Sequence, residues 1–233
     1  MTRNTAGQKY EEEPETNPGF PLTVTAVKPQ KKRSGRFSLF HNKVFIIGVS
    51  AHILARFNLG TGSEITADIY SEISQAEQYT ACKNYMFQLL GRRDYSSFEI
   101  RMKALKKGYS SELAETVIEK FQQKNYLNDE KFARKFANDK IRLNRWGPVK
   151  IKAKLSEKGI DYNLIEKVLD SLSDDLELSK ICVDLILKRR RHFIRESDEF
   201  KRKQKIAAYL QRKGFSFDSI NRALPDIVNR LNV

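Results

Sequence analysis

Arginine and lysine side chains supply the clearest chemistry in this sequence, and the most informative group lies between residues 125 and 155. Its candidate binding residues are Arg134, Arg142, Arg145, Lys150, Lys152 and Lys154. Such side chains neutralise phosphate charge and release counterions, which gives affinity without reading a base sequence. Some members of any basic set are simply solvated, but the group as a whole predicts a surface that binds a polyanion.

A second basic run is denser and lies further along the chain. It consists of Lys188, Arg189, Arg190 and Arg191. A run of this kind can also be a solvated helix end, because cations interact favourably with the dipole at a helix C-terminus. The density of the run favours contact with a polyanion.

Trp146 follows the arginines of the first group and allows two interpretations. An indole can stack on a base or on an aromatic ring of a partner. It can also pack in the turn between two helices, and this is the interpretation that we expect.

The sequence contains no residues with the spacing of a catalytic or metal site. His41, His52 and His192 are scattered, with neither an HExxH motif nor a His/Cys ligand spacing. Gly60-Thr61-Gly62 lacks the Lys-Ser/Thr pair that completes a phosphate-binding loop. We therefore expect no catalysis, no cofactor and no metal.

The positive charge is concentrated in the C-terminal part of the chain. The 233 residues carry a formal net charge of +14, yet residues 1–90 contain ten Lys and Arg against eight Asp and Glu. The other 33 basic and 21 acidic residues lie between 91 and 233, which predicts a polyanionic partner for that region.

The sequence shows neither a membrane span nor a signal peptide, and Cys82 and Cys182 read as reduced thiols. A cytoplasmic location is expected.

Two helices with clear boundaries position the first basic group. Asn128 is a good N-cap, and apolar residues from Phe132 to Leu143 recur at helical spacing. Trp146-Gly147-Pro148 ends this helix and starts the next, because proline suits the first position of a helix. The basic side chains lie mostly off the apolar face.

The N-terminal region has a different pattern. Residues 1 to 20 are polar and contain adjacent glutamates and prolines, which predicts a disordered tail. Leu22–Val27, Arg36–Phe40 and Lys43–Val49 read as β-strands, with a tight turn at His41-Asn42. These runs predict a small antiparallel sheet.

From Ser50 onward the pattern is helical. Ser74 to Glu77 and Ser96 to Glu99 both have the spacing of a capping box. The first is predicted to open a helix that continues to Leu90. The second is predicted to open a helix that ends at Gly108.

An internal repeat organises the rest of the chain. When Gly108, Gly159 and Gly214 are aligned, apolar residues coincide before and after the glycine. The aligned sets are Ile100/Ile151/Ile206, Ala104/Leu155/Leu210, Tyr109/Ile160/Phe215, Ala114/Ile165/Ile220, Val117/Val168/Ala223, Ile118/Leu169/Leu224 and Phe121/Leu172/Ile227. Each unit is predicted to be a helix, a glycine in a left-handed C-cap and a second helix. Linking helices at about 129–144 and 174–195 complete three-helix units, and Pro225 is expected to shorten or kink the last helix.

The predicted fold class is mainly α, with tandem three-helix repeats in a curved helical array preceded by a small antiparallel β-rich N-terminal module. The predicted boundaries are a tail at 1–20, a β-rich module at 21–63, connecting helices at 64–93, and repeats at 94–145, 146–197 and 198–233.

The ordered motifs around these repeats resemble the RecX family, small bacterial regulators of the RecA recombinase. The similarity covers roughly residues 91–232, and the β-rich segment looks like the N-terminal extension of some members. The residues that carry it are Arg92, Arg93, Leu105 to Gly108, Tyr126 to Asp129, Phe132-Ala133, Arg142, Gly147 and Leu155 to Gly159.

This resemblance implies a non-enzymatic protein that binds the RecA filament on single-stranded DNA, and we expect the protein to be a monomer. It would lie along the groove of the filament and inhibit or remodel it in homologous recombination, DNA repair and the SOS response. The resemblance also makes Arg92 and Arg93 candidates for contact with DNA or RecA.

Two alternatives stay open from the residues alone. One is a general nucleic-acid-binding helical protein unrelated to RecA, and the other is a helical adaptor for an acidic protein. A DNA binder holds naked oligonucleotides with a steep salt dependence, whereas an adaptor ignores them.

Overall fold

The structure is a computed structural model, and it describes residues 19–31, 34–172 and 175–232. The predicted disordered tail at 1–20 lies almost entirely outside these residues. The chain divides into two compact units, Met1–Ala81 and Cys82–Val233. The described strands belong to the first unit, and the described part of the second unit is helical.

Short antiparallel strands open the first unit. β1 (Leu22–Thr23) pairs with β5 (Glu64–Ile65), whereas β2 (Ala26–Pro29), β3 (Arg36–His41) and β4 (Val44–Ser50) pair in chain order. The prediction of one strand over Leu22–Val27 is wrong, because the chain leaves one sheet for the other within that run. The N–H of Val24 donates to Ser63 O at 2.8 Å, and the N–H of Thr25 donates to Phe40 O at 2.7 Å.

The turn between β3 and β4 lies one residue later than predicted. Asn42 and Lys43 form it with φ of +47° and +70°, and His41 pairs with Val44 inside the sheet. Positive φ at both central residues is the geometry of a type I′ hairpin, whose twist matches that of the strands. The predicted antiparallel β-rich module is confirmed, with its turn shifted.

Two helices, α1 (Ala51–Arg56) and α2 (Ala67–Leu90), complete the N-terminal half of the chain. The prediction that Ser74 opens a helix is wrong, because Ser74 lies inside α2. That helix begins after Thr66, whose hydroxyl accepts a hydrogen bond from Ile69 N–H at 3.3 Å. The carboxylate of Glu77 accepts hydrogen bonds from Ser50 N–H at 2.5 Å and from Arg36 at 2.8 Å, so a tertiary contact uses it instead of a cap.

The second unit is built from the remaining helices. They are α3 (Ser97–Lys106), α4 (Ser111–Gln123), α5 (Asp129–Arg142), α6 (Pro148–Glu157), α7 (Tyr162–Leu172), α8 (Asp175–Leu187), α9 (Arg190–Phe193), α10 (Glu199–Lys213) and α11 (Phe217–Asn232). The predicted linking helix at 174–195 is therefore interrupted after Leu187. The break turns Phe193 into the core, where it is 1% exposed and its ring lies 5.9 Å from that of Tyr209.

The predicted glycine caps are confirmed. Gly108, Gly159 and Gly214 have φ of +98°, +71° and +93°. Each forms a Schellman motif. In the first repeat, for example, the N–H of Gly108 donates to Leu105 O at 3.0 Å, and the N–H of Tyr109 donates to Ala104 O at 3.2 Å. The left-handed conformation explains why glycine recurs at this position of the repeat.

The helix starts of the second unit also follow the sequence. Ser96 and Glu99 form the predicted capping box, and the side chains of Ser110 and Asn128 each accept a hydrogen bond from the backbone N–H three residues later. Gly147 occupies the N-cap of α6, with Pro148 at its first position as predicted. Local capping therefore fixes where most of these helices begin.

The aligned apolar positions form the interior of the second unit. The isoleucines eight residues before the glycines are fully buried in all three repeats. Two smaller expectations are wrong. Leu143 lies past the end of α5 and is 78% exposed, and Pro225 does not shorten α11, which continues through it to Asn232. The alternative expectation, that Pro225 kinks this helix, stays a prediction.

Equivalent helices of the first and second repeats meet end to end. The hydroxyl of Ser96 at the start of α3 donates to the carbonyl of Lys158 at the end of α6, at 2.6 Å. The Lys158 Nζ atom lies 2.8 Å from the Glu99 carboxylate across the same junction. A Cβ atom at Gly159 would overlap the side chain of Phe98, so the two helix ends touch.

The second and third repeats meet in the same order through their backbones. The N–H of Gly147 at the start of α6 donates to Lys213 O at 2.8 Å, and the N–H of Val149 donates to Gly214 O at 3.0 Å. A Cβ atom at Gly147 would overlap the backbone of Gly214. In each junction, groups at the start of a helix in one repeat therefore donate hydrogen bonds to carbonyls at the end of the equivalent helix in the next repeat.

Candidate nucleic-acid and protein interface

A basic turn between α5 and α6 is the best-formed candidate site. This turn, named here the α5–α6 corner, contains Arg142, Arg145, Trp146 and Lys150, together with Lys140 from the last turn of α5. Arg145 has φ +53°, which is unfavourable by about 1 to 2 kcal/mol for a residue with a side chain. Backbone hydrogen bonds from Arg145 to Ile141 O and from Trp146 to Lys140 O, both 3.1 Å, hold this conformation.

Trp146 anchors the corner. The indole packs against the helical core, as expected, and is partly buried. Lys140 and Lys150 place their Nζ atoms 5.1 and 4.6 Å from the centre of the indole ring. Cation–π contacts of this kind position two positive charges without neutralising them.

Eight of the twelve predicted binding residues have no acidic partner among residues 19–31, 34–172 and 175–232. They are Arg92, Arg142, Arg145, Lys150, Lys188, Arg189, Arg190 and Arg191. Those at 188–191 are exposed and line an open cavity of about 610 Å³ with Leu187 and His192. Arg189 lies 5.2 Å from the ring of Tyr209, and Arg190 donates to Leu231 O at 3.2 Å, so both keep their charge available.

The other four predicted residues are engaged inside the protein. Arg93 stacks on Tyr95 at 3.6 Å and bonds to Glu99 at 3.3 Å. Arg134 donates to Glu130 at 2.9 Å and to Ser171 at 2.9 Å.

The two lysines of α6 are paired as well. Lys152 lies 2.7 Å from Glu166 and donates to the Tyr162 hydroxyl at 3.1 Å, and both contacts raise the pKa of Lys152. Lys154 lies 2.6 Å from Glu157. Exposed pairs contribute only about 0.2 to 1 kcal/mol to stability, but each acid cancels the local field that a polyanion would sense.

The unpaired cations recur at equivalent places in the repeats. Arg92 follows the end of α2, Arg142 ends α5 and Arg145 follows it, and the 188–191 run follows α8. In every case the basic group lies at or just beyond the end of the long helix that precedes a glycine-linked pair. The repeat therefore generates a series of basic corners.

Sequence reasoning did not assign two further lysines. Lys140 belongs to the α5–α6 corner, and a lysine in the last turn of a basic helix was a usable signal for it. Lys158 pairs with Glu99, 59 positions away, and nothing local to either residue indicates this pairing.

Within the described parts of the chain, no group of His, Cys, Asp and Glu could hold a metal ion. Cys82 and Cys182 are buried and unpaired, and burial raises the pKa of their thiols to about 11 and about 12. Thiols of such high pKa stay protonated and are poor nucleophiles at neutral pH. In the same described ranges, no helix combines the length and apolar character needed to cross a bilayer.

Comparison with family models assigns nearly every element. The RecX N-terminal domain matches residues 22–66, and the first, second and third RecX three-helix domains match 82–121, 128–169 and 177–224. Each matched three-helix range begins within, or just before, the long helix that precedes a glycine-linked pair. The repeats predicted from the sequence begin at residues 94, 146 and 198, whereas the matched domains begin at 82, 128 and 177. The predicted repeat boundaries stay a prediction.

Curated relatives extend over most of the chain. Regulatory protein RecX of Clostridioides difficile is 30% identical over 210 residues, covering 88% of this chain and 96% of the relative. Regulatory protein RecX of Bacillus velezensis is 31% identical over 203 residues, covering 86% and 76%, respectively.

Two solved structures share the fold. A crystal structure of regulatory protein RecX matches 88% of this chain and 100% of that chain, with a TM-score of 0.72 and 22% identity. RecX from Lactobacillus salivarius matches 65% of this chain and 97% of that chain, with a TM-score of 0.62 and 24% identity. The fold class predicted from the sequence is confirmed, and the chain belongs to the RecX family of regulatory proteins.

Proposed function

We propose that this protein is a non-enzymatic negative regulator of the RecA recombinase. It binds the RecA filament on single-stranded DNA, lies along the filament groove and inhibits or remodels the filament in homologous recombination, DNA repair and the SOS response. It acts in the cytoplasm without a cofactor. The observation that carries the proposal is a series of basic corners, at equivalent positions of the repeats, in a chain of the RecX family.

The chemistry of the corners suits a filament that contains DNA. Guanidinium and ammonium groups contact phosphates in any sequence, so they fit a regulator that must act wherever a filament forms. Because the corners recur once per repeat, a single chain offers several contacts to a target that is itself periodic. Multiple weak contacts on one chain raise the overall affinity well above that of each contact alone.

The α5–α6 corner is assigned the leading role. Its arginines lack acidic partners among the described residues, and Lys140 and Lys150 are held over Trp146. Arg145 takes a strained backbone conformation that asparagine or glycine would adopt at lower cost. Strain of this kind at an exposed basic turn supports a binding role.

The test is RecA-catalysed ATP hydrolysis on single-stranded DNA, titrated with this protein. Inhibition well below one copy per RecA subunit, and unaffected by added naked DNA, is the expected result. A parallel binding assay should show preference for the assembled filament over RecA alone and over DNA alone.

A general nucleic-acid-binding function is the second candidate, because the corners also suit free single strands. Inhibition only at concentrations that coat the DNA, relieved by competitor DNA, would establish that function instead. An adaptor for an acidic protein would neither inhibit nor bind DNA. Both outcomes would contradict the proposal.

A further inference from the structure

The β-rich module carries a concentration of positive charge that the near-balanced charge of residues 1–90 hides. Residues 16–63 contain seven Lys and Arg and no Asp or Glu. The acidic residues that balance them lie before residue 16 and from Glu64 onward. A surface formed by residues 16–63 therefore has positive charge and no carboxylate side chain of its own, which suits a polyanionic ligand.

Two aromatic rings lie on the face of the three-stranded sheet that points away from the core of the first unit. Phe40 of β3 is paired with Phe45 of β4, and the ring centres are 6.0 Å apart in an edge-on arrangement. Among the described residues, the core takes Phe37 and Leu39 from β3 but neither Phe40 nor Phe45. Phe45 is 43% exposed, so its ring is available to a planar ligand.

Two lysines flank this aromatic pair. The Lys28 Nζ atom lies 5.4 Å from the centre of the Phe40 ring, and Lys43 belongs to the turn between β3 and β4. Both lysines are exposed and have no acidic partner in the part of the chain that the structure describes. An open cavity of about 340 Å³ is lined by Thr25, Ala26, Lys28, Phe40, Asn42 and Lys43. Ligand sites typically measure about 300 to 1,000 Å³, so the cavity has room for part of a nucleotide chain.

Lys43 is an unfavourable residue for its turn. Asn42 and Lys43 have φ of +47° and +70°, and type I′ turns prefer Asn-Gly because glycine adopts positive φ without a side-chain clash. The Lys43 ammonium forms no ion pair within residues 19–31, 34–172 and 175–232 that would offset this strain. A strained, exposed cation at the edge of a cavity supports a role in binding.

We propose that this outer face of the sheet binds single-stranded nucleic acid, with a base stacked on Phe45 and neighbouring phosphates held by Lys28 and Lys43. Aromatic rings combined with unpaired cations bind single strands without reading their sequence. A duplex would leave the rings unused, because its bases are already stacked on one another. A run of acidic side chains would use the lysines only.

The inference goes beyond the proposed function, because every basic corner lies in the second unit. It does not rest on RecA, since the ligand is naked nucleic acid. Two lysines and one exposed ring give a weak contact, so preference for the assembled filament over naked DNA is expected to remain.

The test places a fluorescent reporter on the sheet of the 233-residue chain. Trp146 is the single tryptophan of the sequence, so Trp146→Phe combined with Phe45→Trp leaves one indole, located beside the cavity. A base that stacks on an indole quenches its fluorescence, whereas binding at a distant corner does not. Single-stranded oligothymidine should therefore quench the emission in a saturable manner at low salt.

Two further ligands separate stacking from charge in this reporter variant. An abasic oligonucleotide of the same length has the phosphates without the bases, and it should leave the emission nearly unchanged. Polyglutamate should do the same. No quenching by oligothymidine, equal quenching by polyglutamate, or a change of emission only with phosphatidylglycerol vesicles would overturn the proposal.

A second variant tests the lysine of the turn. In the reporter background, Lys43→Gly should lower the affinity for oligothymidine about fivefold and reduce the slope of log affinity against log salt by about 0.7, as the loss of one phosphate contact would do. The variant should fold at least as stably as its parent, because glycine suits the positive φ of this position.

The matched control is Arg56→Ala, which removes an exposed cation of the same module that does not line the cavity. It changes the net charge by the same amount and should leave the affinity within about twofold of its parent. An unchanged affinity with Lys43→Gly, or an equal loss with Arg56→Ala, would refute the proposed site.

Discussion

Two basic regions lie at opposite ends of helix α6, and they differ in whether their charges are paired with carboxylates. At its start, the α5–α6 corner contains Arg142, Arg145 and Lys150, which have no acidic partner in the described ranges. Its later turns carry Lys152 and Lys154, and Lys158 follows its last residue; each of these lysines lies within 2.8 Å of a carboxylate. Net charge alone does not distinguish these two regions.

From this comparison we expect that pairing, rather than positive charge alone, distinguishes the cations that bind a partner from those that stabilise the fold. The paired region stabilises the fold, since Lys158 and Gly159 join two repeats. The charges of the corner make no ion pairs in the described structure, so ion pairing there adds nothing to stability. If the corner binds as proposed, its binding and the stability contributed by the end of α6 are expected to change separately.

The largest expected effect comes from reversing the charge of the corner. The triple variant Arg142→Glu, Arg145→Glu and Lys150→Glu should lower inhibition of RecA by about a hundredfold, because three attractive contacts become repulsive. ATP hydrolysis by RecA on single-stranded DNA measures the effect, and circular dichroism checks the fold. Full inhibition by the folded triple variant would remove the corner from the site.

The next effect is structural and concerns the end of α6. Gly159→Val should lower the free energy of unfolding by about 3 to 5 kcal/mol, because it combines a left-handed backbone with overlap against Phe98. Gly108→Val is the matched control and should cost about 1 to 2 kcal/mol, from backbone strain alone. Urea unfolding compares the two variants. Equal decreases in the free energy of unfolding would show that the junction at Gly159 has room for an added side chain.

A smaller effect follows from the pKa of Glu99. Burial alone would raise this pKa, but hydrogen bonds from Arg93 and Lys158 outweigh burial and hold the pKa below its ordinary value. A carboxylate with a depressed folded pKa contributes stability above its unfolded pKa of about 4.3, and this stability is lost as the pH falls through the folded pKa.

Glu99→Gln removes this titration. Between about pH 6 and about pH 3, the free energy of unfolding of the wild-type protein should fall by about 1 kcal/mol more than that of the variant. Chemical unfolding at a series of pH values measures the difference. Parallel curves for the two proteins would show that Glu99 does not couple the repeats to pH.

The smallest effect is expected from the paired lysines. Lys152→Gln with Lys154→Gln should change the free energy of unfolding by less than about 1 kcal/mol, as exposed ion pairs contribute little. The same variant should inhibit RecA within about threefold of the wild-type protein, because its charges are already neutralised locally. A loss as large as that of the corner variant would break the distinction between the two regions.

Local signals predicted much of the fold. The glycine caps, the Ser96 capping box and the repeated apolar positions are all set by nearby residues, and the structure confirms them. The prediction that Ser74 caps a helix was wrong. The Glu77 carboxylate, which the local pattern assigned to the cap, instead pairs with Arg36 in a tertiary contact. The interruption after Leu187 also depends on packing, since it places Phe193 in the core.

The candidate site was only partly predictable. Residue type and spacing identified the twelve basic residues, but not which of them are paired. Arg134 with Glu130 and Lys154 with Glu157 are local pairs within one helix turn, but Arg93 bonds to Glu99 six positions away and Lys152 pairs with Glu166 of the next helix. Pairing over such separations depends on the docking of helices, which one sequence without its fold does not reveal.

The most direct measurement of the central claim is binding to a preassembled RecA filament on single-stranded DNA. Three proteins are compared at one salt concentration: the wild type, the corner triple variant, and Lys152→Gln with Lys154→Gln. Selective loss of binding by the corner variant, with the paired-lysine variant close to wild type, is the predicted result. Equal loss by both variants would mean that binding follows net charge, and it would contradict the assignment of the corner.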